Sequence, residues 1–314
     1  MWKKIAFVAG FLALLFVADR LGTAVLSHLV LASNARVSAL YDGRVQADVV
    51  LIGNSRGVHM ASSWEWAKAL CRPVFNLSLN GLDVTTQDVL VRDFLERNPA
   101  PKVMVLEISN LFSDTFVAPE YRPFIAVSDR LSGLVRSRQD TWFPWLDISH
   151  LYRFNTEYLM RALLFLFRGS DQTPEVIGDI SPARIDAYLA EHPRYEVNPK
   201  AVPVLASTLE ALKDKGVEPV LVLAPYHPAS FRIEDWRAGA LAEVRRGLPA
   251  DVAIQDWSLA LTDDADFADP LHMTPLGRRE LATRVSLSGL GDLASLCPPT
   301  LGRLHERAPR PEGS

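Results

Sequence analysis

The chain has 314 residues, of which 48% are hydrophobic and 22% are charged, and its formal net charge is -4. This charge balance excludes a protein that coats nucleic acid through a basic stripe, and the hydrophobic content excludes a mostly disordered chain. A core of this size needs no disulfide or metal to be stable. The mean hydropathy of +0.07 is slightly high for a soluble protein and needs an explanation.

The amino-terminal segment is typical of a membrane anchor. Two lysines, Lys3 and Lys4, precede an apolar run from Ile5 to Ala18, which the positive-inside rule associates with a cytoplasmic amino end. The run is about 21 Å long as a helix, and its flanking residues bring it close to the length of a span. We predict that residues 1–22 are an uncleaved signal anchor in the inner (cytoplasmic) membrane. The rest of the chain would then lie in the periplasm or extracellular space.

Two alternatives for this segment stay open, a cleaved signal peptide and a buried helix. Cleavage after Ala18 would place the bulky Phe16 where a small residue is required. Cleavage after Ala35 would place a small residue, Ser33, two residues before the cleaved one, but this site lies far beyond the apolar run. A buried helix fits less well because lysines adjoin the run. Since no other stretch reaches about 18 apolar residues, we expect one crossing at most.

Beyond a predicted helical stalk at 23–46, short apolar runs rich in β-branched residues alternate with helical patterns. The runs cover residues 48–52, 73–77, 103–108, 219–223 and, more weakly, 252–254. Runs of this kind, separated by helices such as Thr85–Arg97 and Pro203–Lys215, indicate a parallel sheet with helical crossovers. We predict an α/β fold over 47–297, a flavodoxin-like three-layer sandwich with a central parallel sheet of about five strands. A disordered tail would follow at 298–314.

A long helical insertion, residues 111–199, separates the third and fourth predicted strands. It is rich in aromatic residues, namely Phe124, Trp142, Phe143, Trp145, Tyr152, Phe154, Tyr158, Phe165 and Phe167. One interpretation is a cap packed on the core. The other is a lid or acyl-binding surface near the bilayer, where Trp and Tyr are favoured.

Polar or small residues follow each predicted strand, at the edge of the sheet where ligands bind in parallel α/β folds. They lie in the segments 53–56, 76–81, 109–110, 224–228 and 269–272. Nucleophilic catalysis needs a serine, a histidine that takes its proton and a carboxylate that orients the histidine. Backbone N–H groups and an asparagine amide form an oxyanion hole. The residue types for this chemistry are all present.

These residues resemble the SGNH (GDSL-like) hydrolase superfamily over roughly residues 47–282. Ser55 resembles the nucleophile, with its N–H as an oxyanion donor, and Gly81 and Asn110 resemble the other oxyanion donors. Asp269 and His272 resemble the family's Asp-x-x-His pair. The sequence departs from the pattern at Gly53-Asn54-Ser55, where Gly-Asp-Ser is usual, and at Ile108-Ser109-Asn110-Leu111, where Gly-x-Asn-Asp is usual.

Three further residues are candidates for substrate binding. Arg56 follows the predicted nucleophile and would meet a substrate anion or form a salt bridge with Asp48 or Glu107. Asn80 precedes the predicted donor Gly81. His227 follows the fourth strand and would line the cleft or stabilise a loop.

A second Asp-x-x-His, Asp147 to His150, lies within the insertion, away from the strand ends, and we reject it as a catalytic pair. No cluster has convincing metal-ligand spacing, so we expect no metal. Cys71 and Cys297 either pair in an oxidising compartment or stay as separate thiols.

The resemblance implies a cofactor-free serine esterase or O-acyltransferase that acts through an acyl-enzyme. The anchor, the Gly-x-Ser-Arg segment and the loop around His227 resemble anchored proteins of polysaccharide O-acetylation and D-alanylation. That subset implies an acyl-ester or glycan substrate in the cell envelope and a membrane-bound O-acyltransferase as partner, with no nucleic acid involved. A non-catalytic glycan-binding or scaffold module and a lipid esterase or lysophospholipase remain alternatives.

Overall fold

The computed structural model describes residues 1–112, 118–138, 143–171, 180–191, 195–232 and 234–288. Its strands are β1 (Val49–Ile52), β2 (Val74–Asn76), β3 (Val103–Glu107), β4 (Glu218–Leu223) and β5 (Ile254–Asp256). Its α-helices are α1 (Trp2–Ala32), α2 (Arg36–Tyr41), α3 (Ser55–Met60), α4 (Ser63–Leu70), α5 (Val84–Arg97), α6 (Ala118–Tyr121), α7 (Asp129–Arg138), α8 (Phe143–Ile148), α9 (Glu157–Phe167), α10 (Pro182–Glu191), α11 (Ala201–Asp214), α12 (Arg237–Arg246) and α13 (Pro275–Ser288). Short 3-10 helices lie at Ser109–Phe112, Arg122–Phe124, His150–Phe154, Pro228–Phe231 and Asp264–Asp266.

The five strands form one parallel sheet in the order β2-β1-β3-β4-β5. Every residue of β1 and β3 is buried, as expected for strands covered by helices on both faces. This is the strand order of the flavodoxin-like fold, and its switch point lies between β1 and β3. The predicted fold class is confirmed, and the carboxyl ends of β1, β2 and β3 meet at one edge.

Alternate residues of β1 divide the core into two layers. Val50 and Ile52 belong to the larger cluster, with residues of α2, α5 and α11. Val49 and Leu51 belong to the smaller cluster, with residues of α4 and α13. The helices therefore cover both faces of the sheet, and α4 packs on the face opposite α2.

The predicted strands and crossover helices lie close to the observed ones, with one displacement. β5 begins at Ile254 rather than Val252, because Val252 contributes a buried side chain to the core without pairing with β4. The crossover helix α11 ends before Gly216, whose φ of +70° is a conformation that glycine adopts without strain.

At the amino end, α1 runs without interruption from Trp2 to Ala32, through the predicted anchor and into the predicted stalk. It is long and apolar enough to cross a membrane, and none of its most apolar window is buried. The stalk does not stand apart from the domain, since every residue of α2 is buried and its apolar residues join the larger core. The predicted tail and Cys297 lie outside the described residues.

The insertion after β3 is helical where it is described, as predicted. In α9, Tyr158 and Ala162 are buried, and the Tyr158 hydroxyl lies 3.0 Å from both the backbone N and the Oγ of Ser38. The insertion thus packs on the amino-terminal segment as well as on the core. Trp142 lies outside the described residues.

Candidate active site

The turn between β1 and α3 places Ser55 at the first residue of a helix. Asn54 caps that helix, since its Oδ1 accepts the backbone N–H of Arg56 at 2.9 Å, as short polar residues do at helix starts. Gly53 is required by close packing, because a Cβ there would lie 2.5 Å from Cβ of Glu107. The serine therefore lies at the carboxyl edge of the sheet on a tightly packed turn.

Asn76, the last residue of β2, holds α3 in place. Its Nδ2 donates to the carbonyls of Gly57 at 3.0 Å and Ala61 at 2.8 Å, which satisfies groups at the end of a short helix that have no intrahelical partner. The chain then passes along the serine turn, where the Leu79 N–H donates to the Gly53 carbonyl at 3.0 Å. Gly81 follows with a φ of +68°. The loop that carries the predicted donor Gly81 is therefore fixed beside the serine turn.

The structure brings Ser55, His272 and Asp269 together in one hydrogen-bonded chain. His272 Nε2 lies 2.9 Å from Ser55 Oγ, and its Nδ1 lies 2.9 Å from Asp269 Oδ2. The other carboxylate oxygen accepts the backbone N–H groups of Leu271 at 2.8 Å and His272 at 2.9 Å. Partial burial raises the pKa of Asp269, but the hydrogen bonds from His272 and the backbone outweigh it and bring the pKa to about 2. An ionised carboxylate only accepts, so Nδ1 carries the proton and Nε2 is free to accept from the serine.

His227 supports the loop that carries Asp269 and His272. Its backbone N–H donates to the Pro270 carbonyl at 3.1 Å, and its ring lies edge-on to Phe267. Nδ1 accepts the Ala229 N–H at 3.2 Å, so the proton is on Nε2, which donates to Asp264 Oδ1 at 2.9 Å. Of the two roles that the sequence leaves open for this residue, these contacts correspond to the loop-stabilising one.

Arg56 is buried, with 3% of its side chain exposed, and its Nε lies 3.9 Å from Glu107 Oε1. It donates to the carbonyls of Ala224 and Pro225 and lies against the Tyr226 ring. Burial raises the pKa of Glu107, and Arg56 and Ser109 offset part of that rise. The Glu107 salt bridge is thus the observed arrangement, whereas Asp48 pairs with Arg72 and Lys102.

The two predicted asparagines differ in exposure. Asn80 is exposed beside Gly81. Asn110 is buried, and its Nδ2 donates to Gln87 Oε1 at 2.6 Å. The amide has two N–H groups, and this bond uses one of them. The role of Asn110 as an oxyanion donor stays a prediction.

His59, which no sequence motif indicated, lies one helical turn after Ser55 on α3. Its ring lies edge-on to that of His272, with the centroids 4.9 Å apart. Burial and the neighbouring His272 lower the pKa of His59 to about 4, so the ring is neutral near pH 7. Residues four apart on a helix lie on the same face, so the spacing could have indicated that His59 lies near Ser55. That inference depends on knowing that a helix begins at Ser55.

The rejected pair in the insertion has a different environment. Asp147 forms an exposed salt bridge with Arg136, and the His150 backbone N–H donates to Asp19 of α1 at 3.0 Å. Over the part of the chain that the structure describes, no group of three or more His, Cys, Asp or Glu side chains is placed to hold a metal.

No family profile matches the chain, and no curated protein matches it. Among solved structures, it is similar to a candidate acylhydrolase from Bacteroides fragilis, with 11% identity, 76% of this chain and 85% of the other covered, and a TM-score of 0.37. It is also similar to a GDSL-like lipase from Bacteroides thetaiotaomicron, with 10% identity, coverage of 76% and 86%, and a TM-score of 0.35. These likenesses are distant and assign no function to the chain.

Proposed function

We propose that the protein is a membrane-anchored serine esterase or O-acyltransferase that acts on acyl esters of a cell-envelope polysaccharide. The observation that carries the proposal is the chain of hydrogen bonds from Ser55 through His272 to Asp269 at the carboxyl edge of the sheet. A structural serine has no need of a histidine aligned on its hydroxyl and a carboxylate aligned on that histidine.

In the proposed reaction, Ser55 Oγ attacks the acyl carbonyl carbon while its proton passes to His272 Nε2. Asp269, which accepts from Nδ1, stabilises the imidazolium that results. The tetrahedral intermediate then releases the alcohol, which takes the proton back from Nε2, and an acyl-serine remains. Water or a sugar hydroxyl repeats the sequence in reverse and restores the free serine.

The oxyanion of the intermediate needs donors on the side opposite His272. We assign this role to the backbone N–H groups of Ser55 and Gly81 and to the amide of Asn110. The start of α3 adds a favourable field for negative charge. Each such donor contributes roughly 2.7–4 kcal/mol of transition-state stabilisation.

The envelope location depends on α1. A helix with an exposed apolar surface and two lysines at its amino end supports a single crossing with the domain outside the cytoplasm. The polysaccharide substrate and a membrane-bound O-acyltransferase partner come from the family resemblance around Ser55 and His227, and they are part of the proposal.

Active-site labelling tests the catalytic role. A fluorophosphonate probe is expected to label the full-length protein in detergent, and Ser55→Ala is expected to abolish labelling. Ser207→Ala, which changes an exposed serine on α11, is the control and should leave labelling intact. Absence of label on the folded wild-type protein would contradict the proposal and favour a non-catalytic scaffold.

Glycan analysis distinguishes transfer from hydrolysis. Mass spectrometry of envelope polysaccharide from cells with wild-type protein or Ser55→Ala should show a change in ester-linked acyl groups. Loss of acyl groups in the variant indicates a transferase, and accumulation indicates an esterase. An unchanged acyl content would contradict the polysaccharide substrate without affecting the labelling result.

A further inference from the structure

The domain and α1 separate at a defined point. Asp19 accepts three hydrogen bonds from the insertion, from Ser149 Oγ at 2.6 Å and from the backbone N–H groups of His150 at 3.0 Å and Leu151 at 3.2 Å. The residues of α1 before Asp19 are all exposed, whereas a face of the helix from Asp19 onward is covered by the domain. The helix therefore projects from the domain at the level of 149–151.

The projecting part of α1 has the length of a membrane crossing. Residues 2–18 span about 25 Å as a helix, close to the thickness of the hydrocarbon core of a bilayer. If this part crosses the membrane, the first surface of the domain that meets the bilayer is the one around Asp19. This step depends on the anchor in the proposed function.

The surface at that level is apolar and aromatic. Trp145 and Ile148 of α8, directly before the segment that contacts Asp19, are 55% and 65% exposed. Beside them is an open cleft of about 480 Å³, lined by Trp145, Ser149, Leu151, Tyr152 and Asn155. Tryptophan and tyrosine are the residues that concentrate at the boundary between headgroups and acyl chains. We call Trp145, Ile148 and this cleft the interfacial surface.

We infer that the interfacial surface is embedded in the outer boundary of the bilayer and contacts lipid. Its occupant is lipid rather than another protein because the surface directly adjoins the end of the proposed crossing. The partly exposed Arg20 lies at the same level, where it pairs with Asp19 at 2.6 Å. The insertion would thus hold the domain in a fixed orientation on the membrane, in addition to the tether that α1 supplies.

Trp64 supplies a matched control. It is 68% exposed and lies next to Lys68 on α4. That helix packs on the face of the sheet opposite α2. The inference therefore places Trp64 in water, although its exposure is similar to that of Trp145.

Photo-crosslinking of the full-length protein in nanodiscs of phosphatidylcholine and phosphatidylglycerol tests the inference. The photoreactive residue p-benzoylphenylalanine replaces Trp145, Ile148, Trp64 or Phe11, one position at a time, and peptide mass spectrometry measures lipid adducts. Phe11, in the projecting part of α1, reports on the anchor itself. We expect adducts at 145 and 148 to exceed those at 64 by about fivefold or more, since only the former lie at the lipid boundary.

The outcomes separate the two proposals. Adducts at 11 without an excess at 145 and 148 over 64 would overturn the interfacial surface and leave the anchor in place. Crosslinks from 145 to a second copy of the chain in place of lipid would also overturn it. Absence of lipid adducts at 11 would overturn both the anchor and the inference that rests on it.

Discussion

Two segments of this chain have the same Asp-x-x-His spacing and different contacts. In 269–272 the carboxylate bonds to the histidine ring, and the ring bonds to Ser55. In 147–150 the carboxylate pairs with Arg136 in solvent, and the histidine contributes its backbone N–H to Asp19. The same spacing therefore aligns a histidine on a serine hydroxyl only at the edge of the sheet.

The largest expected difference between the two segments is catalytic. Asp269→Asn should lower kcat for an ester substrate by about 10⁴-fold. The neutral amide favours the wrong tautomer of His272, and it does not stabilise the imidazolium that forms during the reaction. Asp147→Asn is the matched control and should leave kcat unchanged. Hydrolysis of p-nitrophenyl acetate measures both, and equal activity of the two variants would contradict the assignment of Asp269.

A second contrast is between the buried Arg56–Glu107 pair at the serine turn and a partly exposed pair on α5. Arg56→Ala leaves the buried Glu107 without its cation, so we expect a loss of about 3–5 kcal/mol in the free energy of unfolding. Arg92→Ala removes a partly exposed pair with Asp88 on α5 and should cost about 1 kcal/mol or less. Urea denaturation in detergent compares the variants, and similar losses would show that burial of the Arg56 pair is unimportant for stability.

A substitution of Asn110 tests whether the proposed site includes the residues that follow β3. If its amide is an oxyanion donor, Asn110→Ala should reduce kcat by about 10²-fold, with little change in KM. A normal rate in a folded variant would limit Asn110 to its bond with Gln87. The folded state is checked by the melting temperature of the same sample.

The smallest expected effect concerns His59. Because the pKa of His59 is lowered to about 4 from about 6.5, the unfolded chain binds a proton in this pH range that the folded chain does not. His59 therefore contributes a loss of stability as the pH falls from about 6.5 to about 4. His59→Phe, which keeps an aromatic ring against His272, should make the unfolding midpoint fall less steeply over that range. Parallel pH dependence of the two proteins would exclude this titration.

The sheet could be predicted because its signals are local. Doubly buried strands appear as continuous apolar runs, and their order along the chain with helices between them specifies parallel pairing. The burial of α2 could not be predicted, because Arg36 to Tyr41 has no pattern that distinguishes a stalk from a core element. The displacement of β5 has a similar cause. Val252 packs its apolar side chain in the core but does not pair with β4, and the sequence does not distinguish these two uses of a valine.

The meeting of the three proposed reacting groups could be predicted from residue type and order, whereas the residues that hold them in place could not. Ser55, Asp269 and His272 follow strands in an order that matches a known chemistry. Asn76 and His59 act through tertiary contacts. No local pattern distinguishes Asn76 from ordinary polar residues, and the four-residue spacing from Ser55 to His59 has a meaning only once both are known to lie on one helix.

The tight packing of two glycines at the serine turn limits where the protein could change to accept new substrates. A side chain at Gly53 would collide with Glu107, and one at Gly57 would collide with the Ser78 hydroxyl. Gly53 and Gly57 are therefore closed to larger residues, and variation in specificity among descendants of this sequence should accumulate elsewhere on the rim. The exposed Asn80 and the insertion offer such freedom. Directed evolution for a bulkier acyl group should accordingly begin with those positions and leave the turn unchanged.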